Sequence, residues 1–136
     1  MLRRTLPFVL LAMIAGCSGG GSPTSPGTQP AVHGTLAGLV TIGPNCPVQQ
    51  QGVPCPTPPD AYAARKVLVY DAAHAQLLNT VDINSQGLYA IDLTPGKYVV
   101  DLKPNGIDRS GDVPKAITIA ANTTTRVDIN IDTGIR

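Results

Sequence analysis

The sequence predicts an all-β fold, a seven-stranded antiparallel Greek-key β-sandwich, and three observations carry that prediction. Thr, Val, Ile and Gly dominate the chain beyond residue 34, and no helix-length run with a 3.6-residue apolar repeat occurs there. Short segments with period-two alternation recur along it. Between them stand Gly, Pro, Asn and Asp, the residues that turns require.

The elements follow in order. "TLAGLVTI" (35–42) is the first strand, and "RKVLVYD" (65–71) the second, with Val67 and Val69 on one face and Leu68 and Tyr70 on the other. A turn at 72–75 leads into "QLLNTVDI" (76–83). Asn84-Ser85-Gln86-Gly87 then reads as a hairpin turn in which Gly87 takes positive φ, followed by "LYAIDL" (88–93). Thr94-Pro95-Gly96 turns the chain into "KYVVDL" (97–102). The last two strands, "KAITIAA" (115–121) and "TTRVDINI" (124–131), are joined through Asn122-Thr123.

Upstream the organisation changes. Arg3 and Arg4 precede an apolar stretch, 6–14, too short to span a bilayer comfortably, and the run ends Ile14-Ala15-Gly16-Cys17. This pattern resembles the lipobox of bacterial lipoproteins. The resemblance implies a signal peptide over 1–16 and a lipidated Cys17 as mature N-terminus. Residues 18–30 are Gly, Ser, Thr, Pro and one Gln, which bury nothing, so 17–33 is expected to be a flexible tether and 34–136 the globular domain. Ser18 stands where an aspartate would be linked with inner-membrane retention. The expected address is therefore the cell envelope, extracytoplasmic, with the outer membrane or cell surface preferred.

"SQGLYAIDLTPGKYVV" resembles the signature of carboxypeptidase-regulatory-like, or transthyretin-like, sandwich domains, with Gly87, Tyr89, Leu93, Pro95, Gly96 and Tyr98 in the signature places. More narrowly, "GPNCPVQQQGVPCP" with the terminal "DTGIR" is similar to a group of bacterial lipoproteins carrying one such domain. The resemblance implies a fold and brings no activity with it. Related hydrolases use a His and Arg constellation with a particular C-terminal tail, which "DTGIR" is not.

Cys46 and Cys55 admit three readings: a redox pair, half a metal site, or a clamp. Eight residues separate them, prolines flank both, and no helix is expected to follow, unlike a low-pKa redox motif. Zinc needs about four ligands, and the chain has two histidines, His33 beside the tether and His74 in an expected turn, both read as solvated. With an extracytoplasmic address, a structural disulfide is the default.

"DINSQG" (82–87) has calcium-loop spacing, but Gln86 and Leu93 stand where ligands belong, and the turn already explains Gly87. "KPNGIDRSGD" (103–112) is the longest polar loop. Asn105, Asp108 and Asp112 could gather there around a cation or sugar with Arg109 nearby, against the plainer reading of a solvated connection. This loop and 44–62 are the expected binding loops, lying together at one end. Tyr62 is the best exposed aromatic, whereas Tyr89 and Tyr98 belong to the core.

Net charge is +1, Arg65-Lys66 is the only basic doublet after the signal, and no basic stripe for nucleic acid exists. Asp92, Asp101 and Asp128 read as outward members of strands, and no nucleophile sits in a recognisable catalytic motif. The expectation is a non-enzymatic module without cofactor or metal. It is held on a membrane by its lipid and serves a structural role or binds an envelope protein. The alternative is a starch-binding-like carbohydrate module using Tyr62 as its sugar platform.

Overall fold

Eight strands and one short helix make up the described part of the computed structural model, which covers residues 30–47 and 51–135. The expected signal peptide 1–16, Cys17 and the expected tether as far as residue 29 lie outside it. In chain order the elements are β1 (Gly34–Gly43), α1 (Pro59–Ala63), β2 (Lys66–Asp71), β3 (Leu77–Asp82), β4 (Leu88–Leu93), β5 (Gly96–Leu102), β6 (Lys115–Ile119), β7 (Thr124–Arg126) and β8 (Ile129–Asp132). They form two sheets. One has the order β4-β1-β7, with β8 also on β1; the other has the order β3-β2-β5-β6.

The core lies between the sheets. β1 alternates strictly, with Gly34, Leu36, Gly38, Val40 and Ile42 facing in. Val67, Val69 and Val100 meet them from the second sheet, and Ile129 and Ile131 complete the first. Each such side chain contributes roughly 1.5–3 kcal/mol by leaving water. Gly38 marks the closest approach. A Cβ there would overlap the Val127 carbonyl oxygen and stand 2.8 Å from the Tyr89 ring, so only glycine fits.

Three expectations need correction. The first concerns the direction of the closing strand. β1 pairs antiparallel with β4 but parallel with β7 and β8. Alternation reports which face a residue takes and is blind to the direction of its neighbour. The second concerns the expected strand 124–131, which is divided at Val127–Asp128. Thr35 faces Thr124 and Val40 faces Ile129, so the offset is the same on both sides of the break. The ladder lapses because the Asp128 carboxylate accepts the Leu39 N–H at 2.8 Å while the Val127 carbonyl accepts the Tyr89 hydroxyl at 2.6 Å.

The third concerns the turn at 84–87, which is an arch between sheets and not a hairpin. β3 and β4 do not pair; β4 joins β1. The Asn84 carboxamide oxygen accepts the N–H groups of Gln86 and Leu88, both at 2.9 Å, replacing ladder bonds. Gly87, at φ 84°, hands its carbonyl to the Val40 N–H at 2.7 Å. The Thr94–Gly96 turn likewise crosses from one sheet to the other, while β2–β3 is a true hairpin.

Candidate functional site

One pole of the sandwich collects the loop after β1, helix α1, the loop after β5 and the segment after β8. Cys46 and Cys55 are disulfide-bonded across it, with Cα atoms 6.3 Å apart. That resolves the three readings in favour of the clamp. Hydrogen bonds fasten the clamped loop to the sheet below. The Asn45 amide donates to the Ile42 carbonyl and the Thr57 hydroxyl, at 3.1 and 2.9 Å. The Thr57 hydroxyl donates to the same carbonyl at 3.2 Å, and the Thr133 hydroxyl donates to the Pro44 carbonyl at 2.5 Å.

A helix does follow the cysteines, contrary to expectation. Pro58 and Pro59 preset φ at its start, where the absent N–H groups would have no partner anyway. The five-residue α1 turns Tyr62 back over the Gly87 arch, and the ring packs half-buried against the core. Tyr62 is therefore not the exposed platform the sequence suggested. Tyr98 is half-buried too, and its hydroxyl donates to the Thr94 carbonyl at 2.8 Å, closing the corner around Pro95-Gly96.

Arg65, which the sequence did not single out, organises this pole. It is 9% exposed. Its Nε and Nη2 donate to the two Asp108 carboxylate oxygens at 2.6 and 3.0 Å, and its Nη1 donates to the Ala61 carbonyl at 2.7 Å. A planar fork held on three acceptors ties the polar loop to α1, so the described parts of loop 44–62 lie beside loop 103–112. An open groove of about 410 Å³ runs between them, bounded by Asn45, Pro58, Ala61, Ile107 and Ile135 among others.

The remaining loop residues face different partners. Arg109 exchanges two backbone hydrogen bonds with Asp132, at 2.9 and 2.7 Å, which extends the sheet beyond β8. The Asp112 carboxylate accepts the Asn130 N–H at 2.7 Å, and the Asn105 carbonyl accepts the Asp108 N–H at 3.2 Å. Asp108 and Asp112 thus look to Arg65 and to β8, not to a shared centre. Among the described residues no group of three His, Cys, Asp or Glu is placed to hold a metal ion. A second, half-enclosed cavity of about 190 Å³ lies where the loop meets the ends of β5 and β8.

Away from this pole, His74 is not simply solvated. Its imidazole stands edge-on to Tyr70, centroids 4.5 Å apart, and its Nε2 lies 3.1 Å from the Asp101 carboxylate. The other outward aspartates are likewise engaged. Asp92 accepts the Thr35 hydroxyl at 2.7 Å, and Asp128 takes the Arg126 Nε at 2.9 Å. The Arg126 hydrogen bond, then the Leu39 N–H, hold the Asp128 carboxyl below the ordinary aspartate range. The Gln76 and Ala75 N–H groups do the same for Asp71. Groups bonded in this way fix loops and corners. No signal in the sequence distinguished Arg65 from any other strand-leading cation.

The fold defines a class, an all-β two-sheet sandwich with a disulfide-clamped pole. No family model matches the chain, and no curated protein matches it. Solved structures do. A minor pilin of the gram-positive pathogen Streptococcus agalactiae is 20% identical with a TM-score of 0.51, over 74% of this chain and 44% of the pilin. A DUF3823 family protein from Parabacteroides merdae is 18% identical with a TM-score of 0.44, over 74% of this chain and 46% of that one. Another from Bacteroides ovatus is 16% identical with a TM-score of 0.45, over 71% and 44%. The chain spans less than half the length of each of these three structures. At 20% identity the likeness to the pilin is one of fold alone.

Proposed function

We propose that the chain is an extracytoplasmic lipoprotein whose β-sandwich is a non-enzymatic structural or protein-interaction module displayed from a membrane. One observation carries the reading. The tether enters at the Gly34 end of β1, and the clamped pole sits at the Gly43 end, nine residues on. At about 3.3 Å per residue the two lie roughly 30 Å apart. Acyl chains on Cys17 would hold the near end, each buried methylene contributing about 0.8 kcal/mol, and the pole with the clamp would face outward. A disulfide suits an oxidising compartment. A polar segment of the composition of 18–29 suits a flexible spacer.

Expression of the full chain in a bacterial host with labelled fatty acid tests this. Label should enter the wild type, and Cys17→Ser should lose both the label and membrane fractionation. A Cys17→Ser protein that still fractionates with membranes would refute the anchor. A second reading, sugar binding on an exposed aromatic, is disfavoured because Tyr62 packs against the core.

A further inference from the structure

We infer that the half-enclosed cavity at the base of the polar loop is a binding site for one acidic sugar residue, a uronate-type ring bearing a carboxylate. The inference goes beyond the display role and does not depend on the anchor. The cavity measures about 190 Å³ and is lined by Asp101, Lys103, Arg109 and Ser110 with the apolar Pro104, Val113 and Ile131. Pockets that engulf drug-sized ligands run to roughly 300–1,000 Å³, so this one suits a single ring.

Charge selects the ligand class. Asp108 also lines the cavity, but its carboxylate is matched by Arg65. Asp101 has one oxygen on its own chain's Leu102 N–H and the other beside His74. Lys103 and Arg109 form no ion pair among the described residues. Among the described residues the lining thus holds two cations with no ion-pair partner, one carboxylate matched by Arg65, and one, Asp101, engaged only by a backbone N–H and the His74 ring, which leaves one positive charge in excess. An incoming carboxylate matches the guanidinium fork of Arg109. Sugar hydroxyls suit Ser110 and the remaining capacity of Asp101, and the apolar face of a pyranose suits Val113 and Pro104. Rigidity is built in. The Arg109 backbone is bonded twice to Asp132, and the loop is fixed through Asp108 on Arg65, so binding has to order the Lys103 and Arg109 side chains but not the loop itself.

The experiment is calorimetric and NMR titration of the disulfide-intact domain 30–136, once its far-UV circular dichroism shows a folded β protein, with tri-galacturonate, inorganic phosphate and maltotriose. If that domain does not fold alone, the full chain in detergent takes its place. Saturable binding of tri-galacturonate is expected, weakening as salt rises. It should fall at least tenfold in Arg109→Gln and in Lys103→Gln, with the circular dichroism unchanged, and stay within twofold in Tyr62→Ala. Phosphate and maltotriose should bind at least tenfold more weakly. Absence of saturable binding overturns the inference. So does equal binding of phosphate, which makes the site one for simple anions, or equal binding of maltotriose, which removes the role of charge. Retention of affinity in both cavity variants moves the site elsewhere and overturns it as well.

Discussion

The Tyr89 hydroxyl donates to the Val127 carbonyl across 2.6 Å, at the point where the closing strand leaves its ladder. Tyr89 is 4% exposed, and Gly38 leaves the room that brings the ring and the carbonyl together. Burial first, and the charge of Asp128 second, raise the phenol well above its ordinary 10.0. The contribution of Tyr89 is therefore complete below pH 10.0. It is lost as pH rises towards the higher folded-state value, because the unfolded chain ionises first. Tyr89→Phe should cost about 1–3 kcal/mol near neutrality, leaving a buried carbonyl without a donor. Urea titrations should also show a shallower alkaline loss of stability than in the wild type. An alkaline limb identical in both proteins would falsify the assignment.

Asp128 governs the acid limb at the same break. Its carboxyl is held down by Arg126 and by the Leu39 N–H. Its stabilisation is thus present above the unfolded value of 3.8 and lost as pH falls through the lower folded value. Asp128→Asn should lower the urea midpoint at neutral pH and flatten the dependence below pH 4, where Asp71 continues to contribute. The check is the midpoint against pH for both proteins; a variant with an unchanged acid slope counts against the role given to Asp128.

The Arg65–Asp108 pair is largely desolvated, its side chains 10% and 12% exposed. Asp108→Asn leaves a buried guanidinium without its counter-charge and should destabilise by about 3 kcal/mol or more. The double variant Arg65→Met with Asp108→Leu should recover most of that loss, since burying an apolar pair removes the desolvation penalty. A double-mutant cycle by thermal or urea unfolding measures the coupling, and additive losses would show that the two side chains act independently.

Removing the clamp should act locally. Cys46→Ser with Cys55→Ser should lower stability by about 2–3 kcal/mol, the chain-entropy value for a loop of this length. The flanking prolines already restrict the unfolded loop, which favours the lower end. Amide exchange should rise around Asn45 and Thr57 while β2 and β5 keep their protection. Loss of protection throughout the core would mean that the clamp holds the whole sandwich and not only its pole.

The strands were legible because each buries alternate residues, as Val67, Val69 and Val100 do, and because Gly87 and Gly96 punctuate them. Pairing partners were not. Nothing local to Leu88–Leu93 says that it leaves β3 for β1, since the arch depends on Asn84 satisfying two N–H groups that a hairpin would have paired. The disulfide was legible because spacing and prolines speak against a redox motif, too few histidines stand by for zinc, and an extracytoplasmic address was expected. The pole's central residue was hidden because Arg65 becomes distinctive only when Asp108, 43 positions away, folds against it. Tyr62 misled for a related reason. A five-residue helix, Pro-Asp-Ala-Tyr-Ala, is too short to carry a periodic signal, yet it sets where the ring points.

β1 lies between the segments that start and finish the sheet, running parallel to β7 and β8. Tension applied between residues 34 and 132 would draw these neighbours lengthwise past one another. Their ladder bonds would then be loaded together in shear, where an antiparallel end strand pulled from its turn peels away one bond at a time. A domain wired this way resists pulling at its two termini far better than its modest size suggests. The Val127–Asp128 gap, where one backbone bond to Ala37 is joined by a tyrosine hydroxyl and a carboxylate in place of a continuous ladder, is where it would yield first.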